Sequence, residues 1–126
     1  MEYLTFEEII ELHAAILQPG EPNGFDEHHL RSIIGTVEGG AFDQLYHPTI
    51  LEAGGAYLFY FARNQVFANG NKRTGVITCT TFMYLNDSPL LVPIEPSFVA
   101  EVAAVHRDKD FVFEYLRKLQ QSGVSK

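Results

Sequence analysis

Apolar residues recur along this chain at spacings of three and four, the repeat of helices that each bury one face. Thr5-Phe6-Glu7-Glu8 has capping-box form, a side-chain oxygen followed three residues later by a carboxylate. The segment behind it sets Ile9, Leu12, Ile16 and Leu17 near one face, and Pro19-Gly20 stops it. Pro22-Asn23-Gly24 reads as a turn and Asp26 opens a second helix. Leu30, Ile33, Ile34 and Val37 form its buried stripe, and Gly39-Gly40 ends it. Ala41 to Pro48 is irregular, a loop or short flap with some strand character. Thr49-Ile50-Leu51-Glu52 repeats the capping box and starts a helix to about Arg63 that is apolar almost all round, so it belongs in the middle of the domain.

Polar Asn69-Gly70-Asn71 precedes a further apolar helix from about Lys72 to Leu85. Asn86 to Pro89 is a turn, and Leu90 to Ile94, short and proline-bearing, is an edge strand or extended segment. Pro96-Ser97 opens a fifth helix to about His106, Asp110 to Gln121 forms a sixth, and the tail from Ser122 frays. The expectation is one all-α domain over residues 1–126, ordered from about 4 to 121, a compact six-helix bundle with a flap. Its 46% hydrophobic and 13% aromatic content supports a core without metal or disulfide staples.

Charge narrows the partners. Nine Lys and Arg stand against 16 Asp and Glu, a formal charge of −7, which disfavours nucleic acid and anionic membranes. The single Cys79 excludes an internal disulfide, no apolar run approaches membrane-spanning length, and the N-terminus is acidic where a secretion signal is basic. These features predict a cytoplasmic protein.

One stretch conflicts with its surroundings. Phe67-Ala68-Asn69-Gly70-Asn71-Lys72-Arg73-Thr74 lies between the two most apolar helices and sets Lys72 and Arg73 in a first helical turn. The helix dipole disfavours cations there by about 0.3–1 kcal/mol each. An arriving phosphate resolves the conflict, because helix N–H groups, an ammonium and a forked guanidinium would all meet one polyanion. Gly70 permits close backbone approach and Asn71 supplies an amide donor. The stretch is not a Walker loop, since Gln65 stands at the first glycine position and Lys72 does not directly follow Gly70.

Gln65-Val66-Phe67-Ala68-Asn69-Gly70-Asn71-Lys72-Arg73-Thr74 resembles the signature of the Fic/Doc family. The closer likeness is to its Doc (death on curing) branch, which reads His-x-Phe-x-Asp/Asn-Gly/Ala-Asn-Lys-Arg-Thr. The resemblance runs from about Leu4 to Leu119. It implies a toxin of a toxin–antitoxin pair that uses ATP with Mg²⁺ to modify a hydroxyl of a target protein. Fic proteins mostly transfer AMP and continue Gly-Asn-Gly-Arg-x-x-Arg. Lys72 and Val76 replace the second glycine and second arginine, as in the Doc branch, which phosphorylates translation elongation factor Tu.

Carried over by position, Asn71 and Arg73 hold phosphate oxygens, Lys72 adds charge, Gly70 gives backbone access and Asn69 takes the metal position with a neutral oxygen. Phe67 anchors the loop. Gln65 stands where the family has its catalytic histidine, and glutamine orients a hydroxyl without accepting its proton. Losing a general base removes about 10²–10⁴ in rate, so the resemblance implies a nearly inert enzyme. A toxin disabled by substitution and a naturally divergent member both fit Gln65. AMP transfer, and a non-catalytic module binding nucleotide or antitoxin, are the alternatives.

Other residues carry blander readings. His28-His29 lacks the carboxylates of a metal cage, and His13 and His106 read as helix residues without catalytic roles. His47 belongs to the flap surface, where it could touch a target chain. Cys79 is a small buried hydrophobe, and Tyr57, Phe59, Tyr60 and Phe61 form core before any adenine surface. Ser97 to Glu101 faintly resembles a self-inhibitory Fic motif that Val102 breaks, so inhibition by a separate antitoxin is the expectation.

Overall fold

A computed structural model describes residues 1–104 and 107–123. Six helices follow in chain order: α1 (Phe6–Ile16), α2 (Glu27–Glu38), α3 (Ile50–Arg63), α4 (Asn71–Leu85), α5 (Pro96–Ala103) and α6 (Lys109–Gly123). The bundle is all-α, with one short hairpin, β1 (Gly40–Ala41) against β2 (Gln44–Leu45).

Local chemistry sets the helix starts. Thr5 and Thr49 each form a complete capping box, with Glu8 and Glu52 reaching back to the cap backbone. Asp26 accepts the His29 N–H at 3.0 Å to begin α2, and Pro96 takes the first turn of α5, where a missing N–H costs nothing. The flap closes through Phe42 and Asp43, both at positive φ (52° and 64°), which gives the tight twisted turn of a hairpin. Leu90 to Ile94 forms no strand among the described residues, the chain bending at Leu91 and Val92, and its proline is unsuited to ladder pairing. The fifth helix, expected to run to about His106, ends at Ala103 with Ala104 as its C-cap, and His106 and residues 124–126 lie outside the described residues.

α3 is central, as its apolar circumference requires. It packs along α4 and against α2, α5 and α6, while α1 covers α4 and touches α2. Small residues bring α3 and α4 together: a Cβ on Gly54 would lie 2.8 Å from Met83 Cγ, and one on Gly75 3.0 Å from the Leu58 carbonyl oxygen. Tyr57, Leu58 and Phe61 from α3 and Phe82 and Met83 from α4 fill the interior. The Leu4 N–H donates to the buried Tyr57 hydroxyl at 3.2 Å, which fixes the N-terminus over this core. The loop between α3 and α4 is thereby held by the two most deeply packed helices.

Candidate functional site

Residues 64–70 leave α3 and re-enter the bundle as α4 along a path with few free torsions. Asn64 donates to the Tyr60 carbonyl at 2.7 Å, and its Oδ1 is 3.2 Å from His29 Nε2. The loop then pairs with the α1–α2 connection across an antiparallel bridge at Phe25 and Phe67. The Asp26 N–H donates to the Val66 carbonyl and the Ala68 N–H to the Gly24 carbonyl, both at 2.9 Å. Phe67 is buried and its ring stacks on His13, with centroids 3.9 Å apart. His13 Nε2 lies 2.8 Å from the Asn69 carbonyl oxygen.

Asn71 staples the loop from inside. Its Oδ1 accepts the Phe67 N–H at 2.9 Å, and its amide donates to the Phe67 carbonyl at 2.9 Å and to Gln65 Oε1 at 3.3 Å. Gly70 caps α4 in the left-handed region (φ 80°) with no side-chain cap. Its bare Cα also makes room, since a Cβ there would meet Ile16 Cδ1 at 3.0 Å. No hydrogen bond among the described residues takes the N–H of Asn71, Lys72 or Arg73. These are the orphan donors of a helix start, and they carry the positive end of its dipole.

Gln65, Asn69, Gly70, Asn71, Lys72 and Arg73 together line one cavity of about 450 Å³, closed by Arg63, Asn64 and Ala103. The residues to which the sequence reading gave ligand or catalytic roles therefore border a common space, while Phe67 lies buried behind it as the anchor. Lys72 is exposed and makes no ion pair among the described residues. Arg73 is already engaged: Nη1 donates to the Ile16 carbonyl at 2.6 Å and Nη2 to both Glu21 oxygens at 2.9 and 2.8 Å. Lys72 and Arg73 also border a second cavity of about 540 Å³, walled by Ile16, Val76, Ile77, Ile94, Pro96 and Val99.

The lining does not fit a resident Mg²⁺. It offers amide oxygens and no carboxylate, and among the described residues no three His, Cys, Asp or Glu side chains converge. Mg²⁺ is ordinarily held by one or two carboxylates together with substrate phosphates. Asn69, whose amide donates to the Pro22 carbonyl at 3.2 Å, has a single neutral oxygen to lend.

His47 corrects the sequence reading. It is buried at 1% exposure and is not flap surface. Its Nδ1 faces the Val37 carbonyl at 3.3 Å, and Lys109 Nζ stands 3.0 Å from Nε2. Burial, then the neighbouring ammonium, holds its pKa below the ordinary histidine value. Cys79 is fully buried, and desolvation pushes its thiol up to about 12. Tyr57 and Phe61 are core, while Phe59 and Tyr60 are only partly covered. Glu101 pairs with Arg107 at 3.2 Å. His28 is exposed, and His106 lies outside the described residues.

Two residues at the site escaped the sequence reading. Glu21 follows a Pro-Gly stop, and His13 sits on a helix face with nothing local to mark it. Their partners lie 52 and 56 positions away, beyond the reach of any periodicity.

No described helix is long and apolar enough to cross a membrane. Comparison with curated proteins finds no match. The model of the Fic/DOC family matches residues 3–83, a span that takes in α1 to α3, the whole signature loop and most of α4. Coverage of well over half the chain, with the signature residues gathered around a single cavity, makes this protein a member of the Fic/DOC family.

Proposed function

We propose that this chain is a Doc-type toxin fold that binds ATP at the signature loop and directs its terminal phosphate toward a hydroxyl of a translation factor such as elongation factor Tu. One observation carries the reading: three unpartnered helix N–H groups and the Lys72 ammonium border the same polar cavity. Phosphoryl transfer relies mainly on positioning and on charge neutralisation, and those are the resources available here. The N–H groups of Asn71, Lys72 and Arg73 hold phosphate oxygens, with the ammonium beside them. Arg73 has further N–H groups to offer beyond those given to Ile16 and Glu21. Mg²⁺ enters only as a companion of the nucleotide, with Asn69 lending at most an amide oxygen.

Gln65 sits at the cavity wall and aligns the target hydroxyl without removing its proton. Transfer by this chain is therefore slow, by about 10²–10⁴ relative to a histidine at that position. The exposed hairpin, with Phe42 almost wholly in solvent, offers a strand edge to an extended target segment. A separate antitoxin segment restrains the toxin by lying along an apolar groove between helices.

The test is Gln65→His, incubated with ATP labelled at either the α or the γ phosphate. Growth arrest and γ-label on a translation factor support the proposal. Label from the α phosphate instead assigns AMP transfer. A variant that is harmless and labels nothing overturns the toxin reading and favours a nucleotide-binding module, the role that Gln65 itself would suit.

A further inference from the structure

Arg73 joins the cavity wall with both terminal nitrogens already engaged. Nη2 donates to both oxygens of Glu21, at 2.9 and 2.8 Å, and Nη1 to the Ile16 carbonyl at 2.6 Å. The carboxylate is itself anchored. The Gln18 N–H donates to Oε1 at 2.7 Å, and the Glu21 N–H returns to the Gln18 carbonyl at 3.1 Å. Glu21 thus belongs to a closed four-residue turn that aims its carboxylate at Arg73. Gly70 makes the geometry possible, since a Cβ there would crowd Ile16 at 3.0 Å and reach Arg73 Nη2 at 3.6 Å.

The contact runs through one guanidinium nitrogen, Nη2, which serves both carboxylate oxygens, a charge-assisted pairing of the kind a guanidinium also makes with phosphate. It is reversible, because the two side chains keep 36% and 24% of their surface in water and the pair is screened. Arg73 and the Gln18 N–H hold the Glu21 carboxyl below the usual carboxylate range, so the internal anion is fully charged at neutral pH.

We propose that Glu21 is a specificity-determining residue of the cavity, its carboxylate occupying Arg73 as an internal anion that a polyphosphate displaces and a single phosphate does not. This rests on the anion-site reading above. A lone phosphate on Arg73 merely exchanges one anion for another and gains little. A triphosphate that takes Arg73 also reaches Lys72 and the free N–H groups of the α4 start, and those added contacts drive the exchange.

Calorimetry with inorganic phosphate, pyrophosphate, tripolyphosphate and ATP tests this on the wild-type chain, Glu21→Gln, Arg73→Ala and the double variant. The wild type should bind tripolyphosphate and ATP but not phosphate. Glu21→Gln should bind tripolyphosphate about tenfold tighter, within the usual range of coupling between groups at one site, and should gain phosphate binding. Both gains should vanish without Arg73. Equal affinity in wild type and Glu21→Gln overturns the proposal, as does a gain that persists in the double variant, because that is mere removal of negative charge. Should Glu21→Gln fail to fold, the ¹³C signal of the wild-type Glu21 carboxylate replaces it. That signal should shift on adding tripolyphosphate, and a stationary signal refutes the displacement. If no form of the protein binds any of the four anions, the anion-site reading itself fails.

Discussion

His13 lies flat on Phe67, ring centroids 3.9 Å apart and 14° from parallel, while its Nε2 reaches the Asn69 carbonyl at 2.8 Å. A residue of α1 therefore carries both the hydrophobic anchor and a backbone carbonyl of the signature loop. His13→Ala removes the stack and leaves the carbonyl short of a donor, so it should cost about 2–4 kcal/mol. His13→Phe keeps the stack and should cost about 1–2 kcal/mol, the penalty for the lost hydrogen bond. Urea denaturation of both variants measures the difference. Equal losses would mean that the stack contributes nothing, and a His13→Phe variant as stable as the wild type would mean the same of the hydrogen bond.

Asn71 makes three hydrogen bonds inside its own loop, so its first task is to shape the cavity. Asn71→Asp should be worse than a simple loss. The carboxylate still accepts the Phe67 N–H but turns its second oxygen toward the Phe67 carbonyl. A destabilisation of about 2–3 kcal/mol, with ATP affinity reduced, is expected in thermal melts and binding titrations. Wild-type melting with unaltered ATP affinity would show that the loop holds its shape without this staple.

Two helical glycines should respond to alanine with opposite signs. Gly55 in α3 has no room, because an added Cβ falls 2.7 Å from Phe113 Cδ1. Gly55→Ala should destabilise by about 1–3 kcal/mol through overpacking. Gly35 in α2 has nothing within 4 Å. Gly35→Ala should stabilise by about 0.5–1 kcal/mol, since alanine is the better helix former. Chemical denaturation at fixed pH compares them, and like signs would contradict the packing described for α3 and α6.

Stability should fall as the solution is acidified through the histidine range. His47 has a folded pKa below the ordinary 6.5, caused by burial first and Lys109 second. The unfolded chain therefore binds the proton more readily, and the neutral imidazole contributes stability that is fully present above about pH 6.5. That contribution declines as pH drops from there toward the lower folded pKa. Glu38, whose burial raises its carboxyl pKa, acts in the opposite sense, nearer its ordinary value of 4.5. Replacing His47 with Gln should flatten the decline between pH 7 and 5.5 in unfolding titrations. An unchanged slope would remove His47 as its source.

Much of the architecture was legible because its causes are local. Thr5 with Glu8 and Thr49 with Glu52 are complete instructions for a helix start within four residues, and both formed as read. The apolar circumference of Tyr57 to Phe61 likewise dictated a central α3. The signature residues 65–73 could be named as neighbours because they are consecutive and enter one helix start.

What the sequence alone settled is where most helices begin, which of them is central, and which short stretch breaks the apolar pattern between the two core helices. Those outcomes follow from capping, periodicity and backbone preference over a handful of adjacent positions. Only the tertiary structure decided that Arg73 turns to Glu21, that His13 supports Phe67, and that His47 leaves the surface for Lys109. Each of those contacts joins residues more than 50 positions apart. Such a pairing is chosen by how the helices dock, because a charge or ring takes whatever partner the packed elements bring within about 3 Å, and no local pattern encodes that choice.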